Sequence, residues 1–284
     1  MKIKNFNKGI ISSSLGSFWW GVFGTYYFQY ITFIGTFEVV FHRSIWTCVI
    51  LLFTTTFFKK WNLFKKILLN KKNFFVLFLT SILIFGNWTV WIYAVSTNRI
   101  IDASFGYFIF PIISVFFGYI FLKEKLNKKR IISISLVIIA TIYLLFDFSS
   151  LPWVGFTLAF LWSIYNLLRK KISVETDIGL LIESLFILPL AILFFYFIVQ
   201  ANQNDFSLAN PTLMALIFLA VPMTVIPLFL YVKGVELSGL GPSGMIFFIT
   251  PTSQFLLGFF YYNEEFSLNK LISFIIIGFL YQFI

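Results

Sequence analysis

One cysteine and one histidine are all that this chain of 284 residues contains of either type. Cys48 has no second thiol to form an internal disulfide with, and a His/Cys metal centre would have only His42 and Cys48 to draw on. Charge is scarce too, at 11% of residues against about 25% in an average soluble domain. So few charges could not keep a water-facing surface in solution. No Walker-type glycine loop is present to cradle phosphates, so ATP is not the expected power source. Aspartate-rich runs of the kind a metal-dependent polyprenyl-processing enzyme needs are missing. Gly241-Pro242-Ser243-Gly244 offers a serine without a base partner and reads as a helix breaker. No cofactor, no metal and no catalytic residue set is expected.

What the chain does have is apolar surface. Hydrophobic residues make up 60%, and the mean hydropathy is +0.93, so lipid must be the solvent for most of it. The 41 phenylalanines sit in a composition also rich in Ile, Lys and Asn, as a skewed codon supply produces, and most are lipid-facing filler. A transmembrane helix needs about 20 mostly apolar residues. On that basis spans are predicted near 9–31, 36–58, 73–96, 101–122, 130–147, 151–168, 178–200, 210–232, 238–261 and 268–284. The short connections leave no soluble domain. Lys2, Lys4 and Lys8 ahead of Gly9–Tyr30 resemble a signal peptide, but the run is too long and lacks a small-x-small cleavage site. It is expected to stay as the first span.

Shifted by 140 positions, the chain aligns with itself without a gap. Ala94–Glu124 falls on Gly234–Glu264, with Phe108-Ile109 on Phe248-Ile249, Pro111 on Pro251, Gly118 on Gly258 and Ile132-Ser133 on Ile272-Ser273. Five spans per copy is an odd number, so the copies should sit in the bilayer in opposite orientations. Charge placement agrees. The N-terminus and the even-numbered connections hold eighteen Lys and Arg, the odd-numbered ones only Arg99 and Lys270. By the positive-inside rule both termini are cytoplasmic in a bacterial inner membrane, with Asp205 and Glu264 outside. The net charge of +10 thus reads as topology rather than as nucleic-acid affinity. The predicted architecture is an all-α membrane protein of ten transmembrane helices, in two inverted five-helix repeats over residues 1–147 and 148–284.

Polar groups within a span are costly and tend to be functional. Glu38 and His42 lie four residues apart on one helix face, with Arg43 beside them. They read either as an ion-pair lock at the outer interface or as a proton-titratable outer gate. Glu183, just inside the seventh span, holds the comparable place near the inner face. It reads either as an inner gate or as a partner of Arg169 or Lys170 in the adjoining basic stretch. Trp20, Asn87, Trp91, Tyr107, Tyr165 and Gln254 are candidates for lining a central cavity that would accept an amphipathic organic molecule, against packing as the alternative. Pro111, Pro227 and Pro251 mark bendable helices at corresponding places in the two halves.

The set of segments resembles the drug/metabolite transporter superfamily, specifically the RarD-type (chloramphenicol-sensitivity protein) branch of the EamA-like transporters. The similarity covers nearly the whole chain. It is carried by Glu38-x-x-x-His42-Arg43-x-x-Trp46, by Asn87-Trp88 followed by Ala94-Val95, and by Ala103-Ser104-x-Gly106-Tyr107-Phe108-Ile109-x-Pro111. Tyr165-x-x-x-Arg169-Lys170-Lys171, Gly179-x-Leu-Ile-Glu183 and Ile226-Pro227-Leu228 complete it. The resemblance implies a ten-span inner-membrane protein with a cavity between inverted repeats. Phe110 stands where the family pattern has Asn before Pro111, and Thr250 where it has Gly before Pro251. The expected function is secondary transport of a small amphipathic metabolite or drug-like compound, outward, by alternating access. The expected partners are that small molecule and the lipid bilayer, with proton coupling left open and the oligomeric state not readable. An uncoupled facilitator or lipid-linked flippase is the alternative on the same scaffold. An intramembrane enzyme fits less well, because Glu38 and Glu183 lie near opposite faces.

Overall fold

In the computed structural model, the described residues are 3–97, 99–145, 151–172, 174–206 and 210–261. Among them every regular element is helical. The predicted tenth span over 268–284, with Glu264 and Lys270, lies outside the described residues.

The first span forms one helical rod from α1 (Ile3–Trp19) through a π-helical turn (Trp20–Gly24) into α2 (Thr25–Tyr30). α3 (Thr36–Phe57) returns, and the short α4 (Trp61–Leu68) lies in a stretch read from sequence as a connection only. α5 (Lys71–Ser96), α6 (Ile100–Leu122), α7 (Lys128–Leu145), α8 (Trp153–Lys171), α9 (Thr176–Gln200) and α10 (Pro211–Ser238) follow. The ninth span is split into α11 (Leu240–Ile246) and α12 (Ile249–Phe260). Among the described residues, five helical segments can cross a membrane by length and composition: 36–57, 71–96, 105–122, 176–200 and 211–238. The helix over 131–143 is apolar but shorter.

Local sequence sets the ends. Asn70 and Asn210 cap α5 and α10, each side chain accepting the N–H three residues on at 3.1 Å. Lys59 and Asn202 take left-handed conformations after α3 and α9, and the next N–H in each case reaches five residues back. Pro251 accounts for the break in the ninth span. It has no N–H to offer the Phe247 carbonyl, and its ring would crowd that group. The carbonyl instead accepts from Thr250 N at 2.9 Å.

Packing pairs α1 with α10, α6 with α8, α3 with α9 and α6 with α11. The α6–α8 crossing is close because Gly106 and Gly155 face each other, and a Cβ on Gly106 would strike the Gly155 carbonyl oxygen. The outward surface is lined with exposed Phe and Tyr, among them Phe53, Phe57, Phe116 and Phe197. At the centre, Trp162, Phe110, Tyr231 and Phe247 form a buried aromatic cluster, with Trp20 at its edge 5.4 Å from Trp162. In the 140-residue register Tyr107 corresponds to Phe247 and Phe108 to Phe248. The rings of each pair lie 5.6 and 6.3 Å apart, on helices that run in opposite directions.

Candidate functional site

The polar groups gather at three levels. At the end of the bundle away from the N-terminus, Glu38 is 1% exposed in the first turn of α3. Its two carboxylate oxygens accept the backbone N–H groups of Asp205, at 2.6 Å, and Phe206, at 2.7 Å. The Asp205 carboxylate in turn accepts the Gly35 N–H at 3.0 Å. The start of α3 and the segment 203–206 are therefore latched reciprocally. His42 Nε2 lies 3.6 Å from Glu38 Oε1, an ion-pair distance rather than a hydrogen bond. Neither imidazole nitrogen has a hydrogen-bond partner among the described residues, and the Phe206 ring covers the imidazole at 4.7 Å. The helix face shared by Glu38 and His42 is as read from sequence. Arg43 is not on it. Consecutive helical residues point about 100° apart, and Arg43 turns inward to lie between Phe28 and Trp88.

At the other end, Glu183 is buried at 2% exposure. It accepts hydrogen bonds from Thr80 Oγ1 at 2.6 Å and Tyr165 Oη at 3.2 Å, and Arg169 Nε lies 3.5 Å away. Of the two basic candidates read from sequence, Arg169 is the partner. Lys170 instead donates to the Val235 carbonyl at 2.8 Å. Gly179 makes room for this pair, since a Cβ there would collide with the guanidinium. Nearby, Lys60 bridges the α3–α4 connection to Glu175 and Asp177 at 2.8 and 2.6 Å. Partial burial works against its ammonium, but the hydrogen bonds it donates to Asp177 and Glu175 outweigh it and raise the Lys60 pKa above its ordinary value.

Towards the Glu38 end, near the last turns of α2 and α5 and the first turns of α6, lies a pocket lined by Thr25, Gln29, Trp91, Val95, Ala103, Tyr107 and Gln254. Three of the six residues proposed from sequence to line a cavity, Trp91, Tyr107 and Gln254, meet here. Gln254 Nε2 donates to Thr25 Oγ1 at 2.9 Å, and Gln254 Oε1 is buried without a partner. The other three go elsewhere. Trp20 joins the central aromatic cluster, Asn87 donates to the Leu158 carbonyl at 3.3 Å, and Tyr165 stacks on Trp162 and serves Glu183. The free volume is about 10 Å³, space for roughly one water. The two residues that depart from the family pattern are both built into this closed packing. Phe110 fills the aromatic cluster with 0% exposure, and Thr250 Oγ1 donates to the Ser17 carbonyl at 2.9 Å.

Sequence reasoning used Glu124 only as a repeat marker, yet its carboxylate mirrors the latch of Glu38. It accepts the N–H groups of Leu240, at 2.7 Å, and Gly241, at 2.9 Å, at the start of α11. The signal available in the sequence was the cluster Gly118, Gly239 and Gly241, which encloses that carboxylate.

Apolar helices long enough to cross a membrane, with carboxylates holding backbone N–H groups at both ends of the bundle, define a multi-pass membrane protein. The sequence profile of the EamA-like transporter family matches residues 7–146 and again 151–280, and the chain belongs to that family. It is 33% identical over 270 residues to the uncharacterized transporter YojE of Bacillus subtilis, covering 94% of this chain and 90% of that one. To the protein RarD of Salmonella typhi it is 31% identical over 274 residues, covering 96% and 93%. A solved crystal structure superposes over 97% of this chain and 96% of its own with a TM-score of 0.68 at 12% identity, a likeness of fold.

Proposed function

We propose that this chain is a secondary transporter that exports a small amphipathic organic solute by alternating access, with the basic end of the bundle and both termini in the cytoplasm. One observation supports this reading above others. The pocket is too small for a solute, and at each end of the bundle a carboxylate holds backbone N–H groups from another helix or its connection. Opening either latch while the other stays shut would expose the pocket to one side at a time. The inverted orientation of the two repeats supplies the symmetry that makes the two states alike in energy.

Glu38 and His42 are the groups we assign to proton sensing, because both side chains are buried with Oε1 and Nε2 3.6 Å apart, and the interval that tests the assignment is pH 5 to 8. Opening the 203–206 segment would hydrate both groups and change their proton occupancy. His42→Ala and Glu38→Gln are each expected to flatten the pH dependence of flux across that interval. The effects should be non-additive in the double variant, as for residues of one network. Flux per correctly inserted molecule in proteoliposomes, with and without a pH gradient, is the measurement. A wild-type profile in all three variants would leave the pair as a structural latch and favour uncoupled facilitation.

A further inference from the structure

Among the described residues two arginines are deeply buried, and they are treated differently. Arg169 has Glu183 at 3.5 Å. Arg43, 2% exposed and the largest of the fully buried side chains, has no counter-ion among the described residues. Among the described residues it makes no ion pair and no hydrogen bond, and its Nε is buried without a partner. Its guanidinium lies 4.5 Å from the Trp88 ring centroid and 5.0 Å from that of Phe28. The nearby Tyr27 phenol donates to the Leu216 carbonyl at 2.8 Å. Glu38, on the same helix, commits both oxygens to the N–H groups of Asp205 and Phe206. An isolated cation at this depth is one of the costlier things a membrane bundle can contain. Two aromatic faces offset part of that cost but supply no acceptor for its five N–H donors.

We infer that Arg43 is the anion-binding group of the solute pocket, and that the transported solute is a small organic monocarboxylate with an apolar or aromatic body. Phe28 and Trp91 connect the two, since the guanidinium lies 5.0 Å from the Phe28 ring and that ring packs 5.1 Å from Trp91 in the pocket wall. The fork of a guanidinium matches a carboxylate in bidentate geometry. One fixed positive charge with no acidic neighbour balances one negative charge, which favours a monocarboxylate over a phosphate dianion. Trp91 and Tyr107 offer aromatic faces to the solute's body, and the unpartnered Gln254 Oε1 is an acceptor for a polar hydrogen on it. This inference rests on the transport reading for how the solute enters, because the pocket holds about one water.

The test pairs carboxylates with neutral isosteres on the purified full chain in detergent: phenylacetate against phenylacetamide, and hexanoate against hexanamide. Thermal shift and titration calorimetry give the affinities. The carboxylates are expected to bind about 10- to 100-fold tighter than their amides, the range for hydrogen bonds to a charged partner. Arg43→Gln is expected to abolish that preference. If Arg43→Gln fails to fold, Arg43→Lys keeps the charge without the fork and is expected to narrow the preference several-fold. Equal affinity for acid and amide, or a preference unchanged by substitution at Arg43, overturns the assignment. Counterflow in proteoliposomes separates the two readings. Carboxylate binding without any flux keeps the Arg43 site and removes transport. Flux of the amides alone keeps transport and removes the site.

Discussion

Glu183→Leu is expected to destabilise the folded bundle by about 3–5 kcal/mol, the cost of leaving one member of a buried ion pair without its partner. The partner is Arg169, 6% exposed, whose Nε and Nη1 already lack hydrogen bonds. Without Glu183, its nearest compensation is the Thr176 carbonyl at 3.4 Å. The Thr80 hydroxyl and the Tyr165 phenol would lose their acceptor as well. Arg169→Met should be similarly damaging, since it strands the carboxylate. The double variant should recover most of the loss, because replacing both members of a buried pair by apolar groups is often neutral. Thermal unfolding of all four proteins in detergent gives the cycle. Flux gives the functional half, in which the double variant should be stable and inactive if the pair gates the cytoplasmic side. A double variant that is both stable and active would reduce the pair to a packing element.

The second large effect concerns Glu124. Its carboxylate holds the first two N–H groups of α11, and charge-assisted hydrogen bonds of this kind contribute about 1.5–3 kcal/mol each. Gly239 beside it has φ of 104°, a left-handed value that glycine adopts without strain. A Cβ on Gly118, Gly239 or Gly241 would come within 2.8, 2.8 and 2.9 Å of the carboxylate oxygens. The site is shaped to the carboxylate. Glu124→Ala should therefore favour opening between α6 and α11 by about 100-fold, taking roughly 3 kcal/mol as the sum lost. Ser114, buried against Gly244 in that interface, is the reporter. In a Cys48→Ser background, a cysteine at 114 should alkylate about 100-fold faster when Glu124 is alanine, with glutamine intermediate. An unchanged rate would make the contact a static helix cap.

The apolar runs and the acids inside them were legible in the sequence because both follow from burial cost. The ninth span is split just before Pro251, whereas Pro111 and Pro227 lie inside unbroken helices. Other features were not legible, for identifiable reasons. Glu38 and Glu124 both bind backbone N–H groups, which every residue but proline carries and no side-chain pattern marks. Arg43 is adjacent to His42 in sequence but points to another face, so adjacency suggested a cluster where helical geometry makes two sites. Tyr165 and Trp20 have the composition of cavity walls, yet neighbours such as Trp162 and Glu183 draw them into packing. The π-helical turn at Trp20–Gly24 has no composition signature. It coincides with the close approach of Gly21 to Thr250 and Ser253, where a Cβ would lie 2.7 Å from that of Ser253.

The most direct test of alternating access is to hold the outer latch shut. Gly35 and Asp205 are joined by the 3.0 Å hydrogen bond that closes it, and Gly35→Cys with Asp205→Cys in a Cys48→Ser background puts a thiol on each side. A membrane-impermeant, reducible dithiol cross-linker is added to the outside of cells or right-side-out vesicles, and solute flux is followed before and after reduction. The expected result is cross-linking from outside, loss of flux in proportion to the cross-linked fraction, and recovery on reduction. Flux at the uncross-linked rate through fully cross-linked protein, or reaction only with reagent sealed inside, would contradict it.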